Sequence, residues 1–274
     1  MIRFFLGLSL CVTVYMAGSL PVSAEAPQVA KADPGQSMVV KLAPPDGAES
    51  GIAGFYEGVL RLALRRTEPE FGGFSFERAE DVKASNVLWA PATARQNAVS
   101  RAVAIDLARG MKGLRLLVTD DAEDRALASL SAEDFSETKG LAISPSDQLI
   151  LKANGLSVGS ALADGGPIAK LKDGSADWLA VDPFDLTEAR SAGALNGLAV
   201  AQGLALQIGE PVYFYVPKDR LDLAERLSAG LLMVFEDGSY DALFKSHPAT
   251  RDLYATLGLS ERRVIDLHNP TLAQ

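Results

Sequence analysis

Few side chains in this sequence have types and spacing suited to bond-breaking chemistry. His247 and His268 are the two histidines. No grouping of His, Asp and Glu has metal-ligand spacing, so no metal or other cofactor is expected and both histidines read as structural. Asp164-Gly165-Gly166-Pro167 lacks the lysine and the length of a phosphate loop. Cys11, the single cysteine, lies in the N-terminal apolar run, so the rest of the chain has no thiol nucleophile, disulfide or redox couple. What remains is suited to holding a solute. Ser144-Pro145-Ser146-Asp147 reads as a helix opening: Ser144 can cap, Pro145 fits the first position and Asp147 complements the dipole. Free amides at such an end attract anions, so Ser144 and Ser146 are candidate ligand contacts as well as capping residues. Trp89, Tyr56 and Trp178 are the aromatics placed to reach a cleft; Trp89 follows a strand end and precedes an Ala-Pro turn.

The elements that must carry these groups alternate between strand and helix. Met38 to Ala43 reads as a first strand, stopped by Pro44 and Pro45. Ile52, Phe55, Tyr56, Val59, Leu60 and Ala63 fall on one face of a helix, with Arg65-Arg66 suiting its C-terminus. Phe74–Glu77, Asn86–Trp89, Leu114–Val118, Lys139–Ile143, Leu156–Val158, Asp177–Val181 and Pro211–Pro217 read as strands. Pro167 to Leu171 reads as a short helix. Leu223, Leu227, Leu231 and Val234 form a helix stripe, and a second helix follows around Tyr240 to Phe244. Strands alternating with helices at this spacing indicate an α/β fold.

The N-terminus reads as a secretory leader over residues 1–24. Arg3 precedes an apolar run from Phe4 to about Ala17, and Val22-Ser23-Ala24 offers a small-residue cleavage site. The run is shorter than the about 20 residues of a membrane span. Residues 25–37, rich in Ala, Pro, Gln and Lys, read as a disordered lead-in. The chain has 26 basic and 35 acidic residues; the leader takes Arg3 and no acid, leaving 25 against 35 and a net charge of −10. That balance argues against nucleic acid and anionic membrane surfaces as partners.

In this order the elements resemble the two-lobed, type II periplasmic solute-binding proteins, near a diverged branch of the polar amino acid-binding family 3. Lys112-Gly113-Leu114-Arg115-Leu116-Leu117-Val118 is similar to that branch's strand into the second lobe. Gly174 to Asp182 is similar to its G-x-x-D-x-x-x-x-D strand, Val212 to Val216 to its return strand, and Arg263 to Pro270 to its closing R-x-I-x-L-x-N-P. The resemblance implies an α/β fold in which each lobe is a mixed sheet flanked by helices. Residues 38–117 and 215–274 would form lobe one and 118–214 lobe two, with the ligand between them. It also implies roles. Arg95, in a segment one residue short of the family's T-x-x-R, would clamp a ligand carboxylate with its planar fork. Asp182 would accept from a ligand ammonium, with Asp185 as its rival. Trp89 and Tyr56 would wall the site. One departure is plain: only Glu80 to Ser85 separates two lobe-one strands, too few residues for the helix the family places there.

The function this implies is non-catalytic. The protein would act in the periplasm as a monomer, capturing a small polar solute, an amino acid or related carboxylate, for a membrane transporter or receptor. Two alternatives stand beside it: a sensory or protein-interaction module with no small ligand, and a dehydratase-like enzyme.

Overall fold

The computed structural model describes residues 37–43, 51–120, 127, 129–163, 165–258 and 262–272. The expected leader and, apart from Ser37, the expected lead-in lie outside the described residues. No helix among the described residues is long and apolar enough to cross a membrane.

The chain begins with β1 (Met38–Leu42), α1 (Ile52–Arg66), α2 (Glu68–Phe71) and β2 (Phe74–Arg78). A single 3-10 turn, Val82–Ala84, capped by Asp81, then leads to β3 (Leu88–Pro91). The short passage expected from the sequence is therefore present, with no α-helix in it. Next come α3 (Ala94–Val99), β4 (Arg101–Val103) and β5 (Leu114–Thr119). The middle of the chain holds α4 (Ala132–Ser136), β6 (Lys139–Ala142), α5 (Pro145–Ala153), β7 (Ser157–Ser160), α6 (Gly166–Lys172), β8 (Trp178–Val181) and α7 (Pro183–Ser191). The rest is β9 (Ala199–Gln207), β10 (Val212–Val216), α8 (Leu221–Glu236), α9 (Ser239–Ser246), α10 (Leu253–Leu257) and β11 (Arg263–Asp266).

β1 and β2 pair in parallel, and Leu42 bridges to Val87. β10 lies between β3 and β4, antiparallel to both. The remaining strands form a six-stranded sheet in the order β11-β9-β5-β8-β6-β7. It is mixed: β5 runs antiparallel to β8 and β9, while β6 is parallel to β7 and β8. The lobe boundary expected at residue 117 falls inside β5. β11, in the tail expected with lobe one, pairs with β9 in this sheet.

Period-two alternation explains why this sheet is buried on both faces. Leu116, Val118, Leu179 and Val181 enter one apolar cluster, while Leu117, Trp178 and Ala180 enter the other. Trp178 is a core residue: its indole donates to the Thr138 hydroxyl (2.7 Å) and stacks on Phe135. His247 Nδ1 accepts from Ala249 N (3.2 Å), a local structural contact, while His268 is exposed and its backbone amide donates to Asn154 Oδ1 (2.9 Å).

α1 and α8 form the helical layer of the first cluster. The expected stripe on α1 is buried from Phe55 to Ala63, and Leu223, Leu227, Leu231 and Val234 are fully buried on α8. Gly230 is the point of closest approach, because a Cβ there would lie 2.3 Å from the Ala63 carbonyl oxygen. Backbone cannot yield as a side chain can. Gly230→Ala is therefore expected to cost about 1–3 kcal/mol by overpacking, read as a lower urea midpoint with an unchanged slope. A midpoint equal to wild type would mean the two helices separate freely.

Candidate functional site

The carboxyl ends of β6 and β8 lead directly into α5 and α7, and each helix starts with proline. Ser144 caps α5, its Oγ accepting from Asp147 N (3.0 Å). Asp182 caps α7, its Oδ1 accepting from Phe184 N (2.9 Å) and Asp185 N (3.2 Å). Between these ends lies a cavity of about 180 Å³. Ser144, Asp147, Asp182 and Asp185 line it, joined by Lys112 and Arg115 around the start of β5 and by Glu210 just before β10. Ligands of open α/β sheets bind at such strand ends.

Arg115 is the centre of the charge arrangement. Only 3% exposed, it forks onto Asp147 through Nε (2.8 Å) and Nη2 (2.7 Å). Nη2 also donates to Glu210 (2.9 Å), and Nη1 donates to the carbonyls of Lys112 (2.6 Å) and Leu114 (3.0 Å). Burial would favour its neutral form, but the Asp147 and Glu210 carboxylates outweigh this and hold it charged. Lys112 Nζ donates to Asp182 Oδ2 at 2.6 Å and lies 4.0 Å from Asp185. Burial alone would raise the Asp182 carboxyl; the Lys112 ammonium and hydrogen bonding bring it below the usual carboxylate range. Asp185 behaves oppositely. Burial and the adjacent Asp182 charge push it up to about 6. Its side chain is 56% exposed, so the repulsion from Asp182 is the decisive part.

The structure brings some of the sequence candidates to this cavity and not others. Asp182 and Ser144 line it, and so does Asp185. Ser146 is exposed on the first turn of α5, outside the lining. Arg95 is exposed at the start of α3, which Thr93 caps, and it makes no ion pair or side-chain hydrogen bond among the described residues. It too lies outside the lining. Tyr56 and Trp89 pack on each other at 6.2 Å between ring centroids, in the first apolar cluster. The Tyr56 hydroxyl is buried with no hydrogen-bond partner among the described residues. Burial and the charges of Asp106, Asp182 and Glu210 push it well above its ordinary range.

Lys112, Arg115, Asp147 and Glu210 escaped the sequence reading as site residues. Arg115 carried a visible signal, a charge inside the apolar strand Leu114–Val118. Its partners carried none, since Asp147 and Glu210 lie far along the chain. One further pattern needs its setting. Gly155-Leu156-Ser157-Val158-Gly159 has the spacing of a serine nucleophile elbow. It runs from the end of α5 into the edge strand β7, whereas an elbow turns from strand into helix, so the spacing carries no nucleophile here.

A second hollow, of about 430 Å³, adjoins the cavity. Ile143, Val181 and Asp185 line both. The rest of its wall is mostly apolar, including Ile168, Leu179, Leu195 and Leu198.

No protein-family model matches the sequence, and no curated protein matches it. Solved structures do. The probable amino-acid ABC transporter extracellular-binding protein YtmK of Bacillus subtilis is similar with a TM-score of 0.55 at 13% identity, covering 79% of this chain and 100% of that one. The second substrate-binding domain of a Streptococcus pneumoniae protein gives 0.51 at 14% identity, over 77% and 99% of the two chains. A further Bacillus subtilis protein, YckB, gives 0.52 at 13% identity, over 84% and 96%. At these identities the likeness concerns the path of the backbone. With mixed sheets flanked by helices and this coverage, the chain has the two-lobed, type II periplasmic-binding-protein fold.

Proposed function

We propose that this protein is a non-catalytic binder of a small polar solute, acting outside the cytoplasm and handing the solute to a membrane transporter or receptor. The observation that carries the reading is the cavity at the carboxyl ends of β6 and β8, lined by charged side chains that include Arg115 of the first crossing segment and Glu210 just before the second. A site so placed can sense ligand and interdomain angle together, because hinge rotation is absorbed at element ends. The crossing segments Leu114–Val118 and Val212–Val216 are the proposed hinge. The fold's likeness to YtmK, whose name assigns it to amino-acid transport, supports a solute of similar size. The sequence pattern of residues 1–24, which reads as a secretory leader, supports export.

Thermal melting against a panel of small metabolites tests the reading. A true ligand at a hundredfold its Kd adds about 2.7 kcal/mol. For a chain of this size that is a rise of roughly 5–10 °C in Tm. Scattering from the same complex should show compaction. A broad panel with no shift would favour the second reading, a sensory or protein-interaction module without small ligand. That reading has its own support: Arg115 and Asp182 already have charged partners within the protein, Asp147 and Glu210 for the first and Lys112 for the second.

A further inference from the structure

We propose that the solute of this cleft is a small organic cation with an apolar body and no carboxylate, its ammonium facing Asp185 and Glu210 and its body lying along the adjoining apolar groove. The inference rests on the solute-binding reading above and concerns which chemistry the cleft has left to offer.

Consider the donors an anionic group would need. All five N–H groups of Arg115 are committed, three to carboxylates and two to backbone carbonyls. At the start of α7, Pro183 has no N–H, and the amides of Phe184 and Asp185 are taken by the Asp182 side chain. The Leu186 amide donates to the Asp182 carbonyl. At the start of α5, Pro145 again has none, and Asp147 and Gln148 donate to Ser144. The anion-binding capacity of both helix ends is thus spent internally. At these two helix ends, among the described residues, what is left is the Ser146 amide and the Ser144 hydroxyl proton, beside the protons of Lys112 not given to Asp182.

Acceptors are in surplus. Two cations, Lys112 and Arg115, face four carboxylates, Asp147, Asp182, Asp185 and Glu210. Among the described residues no N–H donates to the Asp185 carboxylate. Glu210 uses one oxygen, Oε2, on Arg115 and has the other for a ligand. The groove continues the same pattern: its charged lining residues are Asp185 and Glu188, both acids. A carboxylate laid there would meet repulsion at either end, whereas an ammonium at Asp185 offsets part of the acidic surplus and leaves the apolar body against Ile168, Leu195 and Leu198.

Three probes with similar six-carbon bodies separate the possibilities: hexylamine, hexanoate and norleucine, titrated calorimetrically at pH 7.5. Hexylamine is expected to bind roughly tenfold or more tightly than either of the others, since one charge-assisted contact decides the difference. Asp185→Asn, at a half-exposed position that tolerates the change, should weaken hexylamine by roughly tenfold or more and leave the melting temperature of the free protein near wild type. Equal or tighter binding of norleucine or hexanoate would overturn the inference while leaving solute binding intact. Hexylamine binding unaffected by both Asp185→Asn and Glu210→Gln would also overturn it, by placing the amine elsewhere. If no probe binds and the metabolite panel is equally silent, the solute-binding reading itself fails.

Discussion

Arg115→Met is expected to cost about 3–5 kcal/mol of folding stability, the loss typical of breaking a buried ion pair by removing one partner. The reason lies in what remains. Asp147 is 6% exposed and would keep a charge with no cation beside it. Glu210 would lose the same partner, and the carbonyls of Lys112 and Leu114 would lose their donor. Those carbonyls lie at the start of the first proposed crossing segment and Glu210 just before the second, so one side chain ties the entries of both strands of the proposed hinge to α5. For a chain of this length the loss corresponds to a fall of roughly 6–20 °C in Tm. The double variant Arg115→Met, Asp147→Leu should recover much of the loss, because it removes the stranded charge together with its partner. Urea unfolding of wild type, both single variants and the double variant checks this. A loss under about 1 kcal/mol for Arg115→Met would show that solvent reaches Asp147 freely, and that the hinge is not held as argued.

The contrast between what the sequence disclosed and what it hid follows from the range of the forces involved. Local signals were readable. The cap at Ser144, the proline after it and the end of α5 near Gly155 depend on residues within a few positions of each other. So do the stripes of α1 and α8, set by helical periodicity. The α/β pattern follows from the order of such elements, and its two-lobed form is what the family resemblance implies. β9 shows the opposite case. Ala199–Gln207 reads AVAQGLALQ, with alanine, glycine and glutamine where a strand former would be expected, and it is a strand because β5 and β11 flank it. α7 has no counterpart among the elements read from the sequence, since Phe184 to Ser191 has little amphipathic character. The site was partly legible for the same reason. Asp182 stands where a strand ends before proline, which is a local fact. Its neutralisation by Lys112 is a contact across 70 positions, and no spacing rule anticipates it. Arg95 was selected by likeness to a motif; the structure shows it exposed at a helix start, and a role in the ligand site would need it to move toward the cavity.

Lys112→Met is expected to raise the affinity for hexylamine roughly 10- to 100-fold, the worth of one charge-assisted hydrogen bond of about 1.5–3 kcal/mol. Lys112 Nζ, 2.6 Å from Asp182 Oδ2 and 4.0 Å from Asp185, stands beside the place proposed for a ligand ammonium and repels it. It is a tethered competitor. Methionine keeps much of the apolar stem packed while removing the charge. Asp182 would retain the amides of Phe184 and Asp185 and would gain the ligand as its cation. The acidic surplus of the cleft would grow by one charge. The free variant should be less stable than wild type, because buried Asp182 loses its partner, and the ligand should restore part of that loss. The pH dependence follows from the same groups. Asp185 faces Asp182 and Lys112, with Arg115 and Glu210 across the cavity and Glu188 on its own helix. In the wild type it takes up a proton near pH 6, raised from the ordinary carboxylate range. Amine binding needs the ionised form, so affinity is full above about pH 6 and falls as pH drops through it, by at most about tenfold per unit. Without Lys112 both Asp182 and Asp185 lose a stabilising charge and titrate higher, as a coupled pair. The acid limb of the binding curve should therefore shift to higher pH in Lys112→Met. Calorimetry between pH 4.5 and 8 on both proteins measures affinity and limb together. An unchanged affinity at pH 8 would mean that Lys112 does not oppose the ligand ammonium, and a limb that stays in place would mean that Asp182 and Asp185 do not sense Lys112.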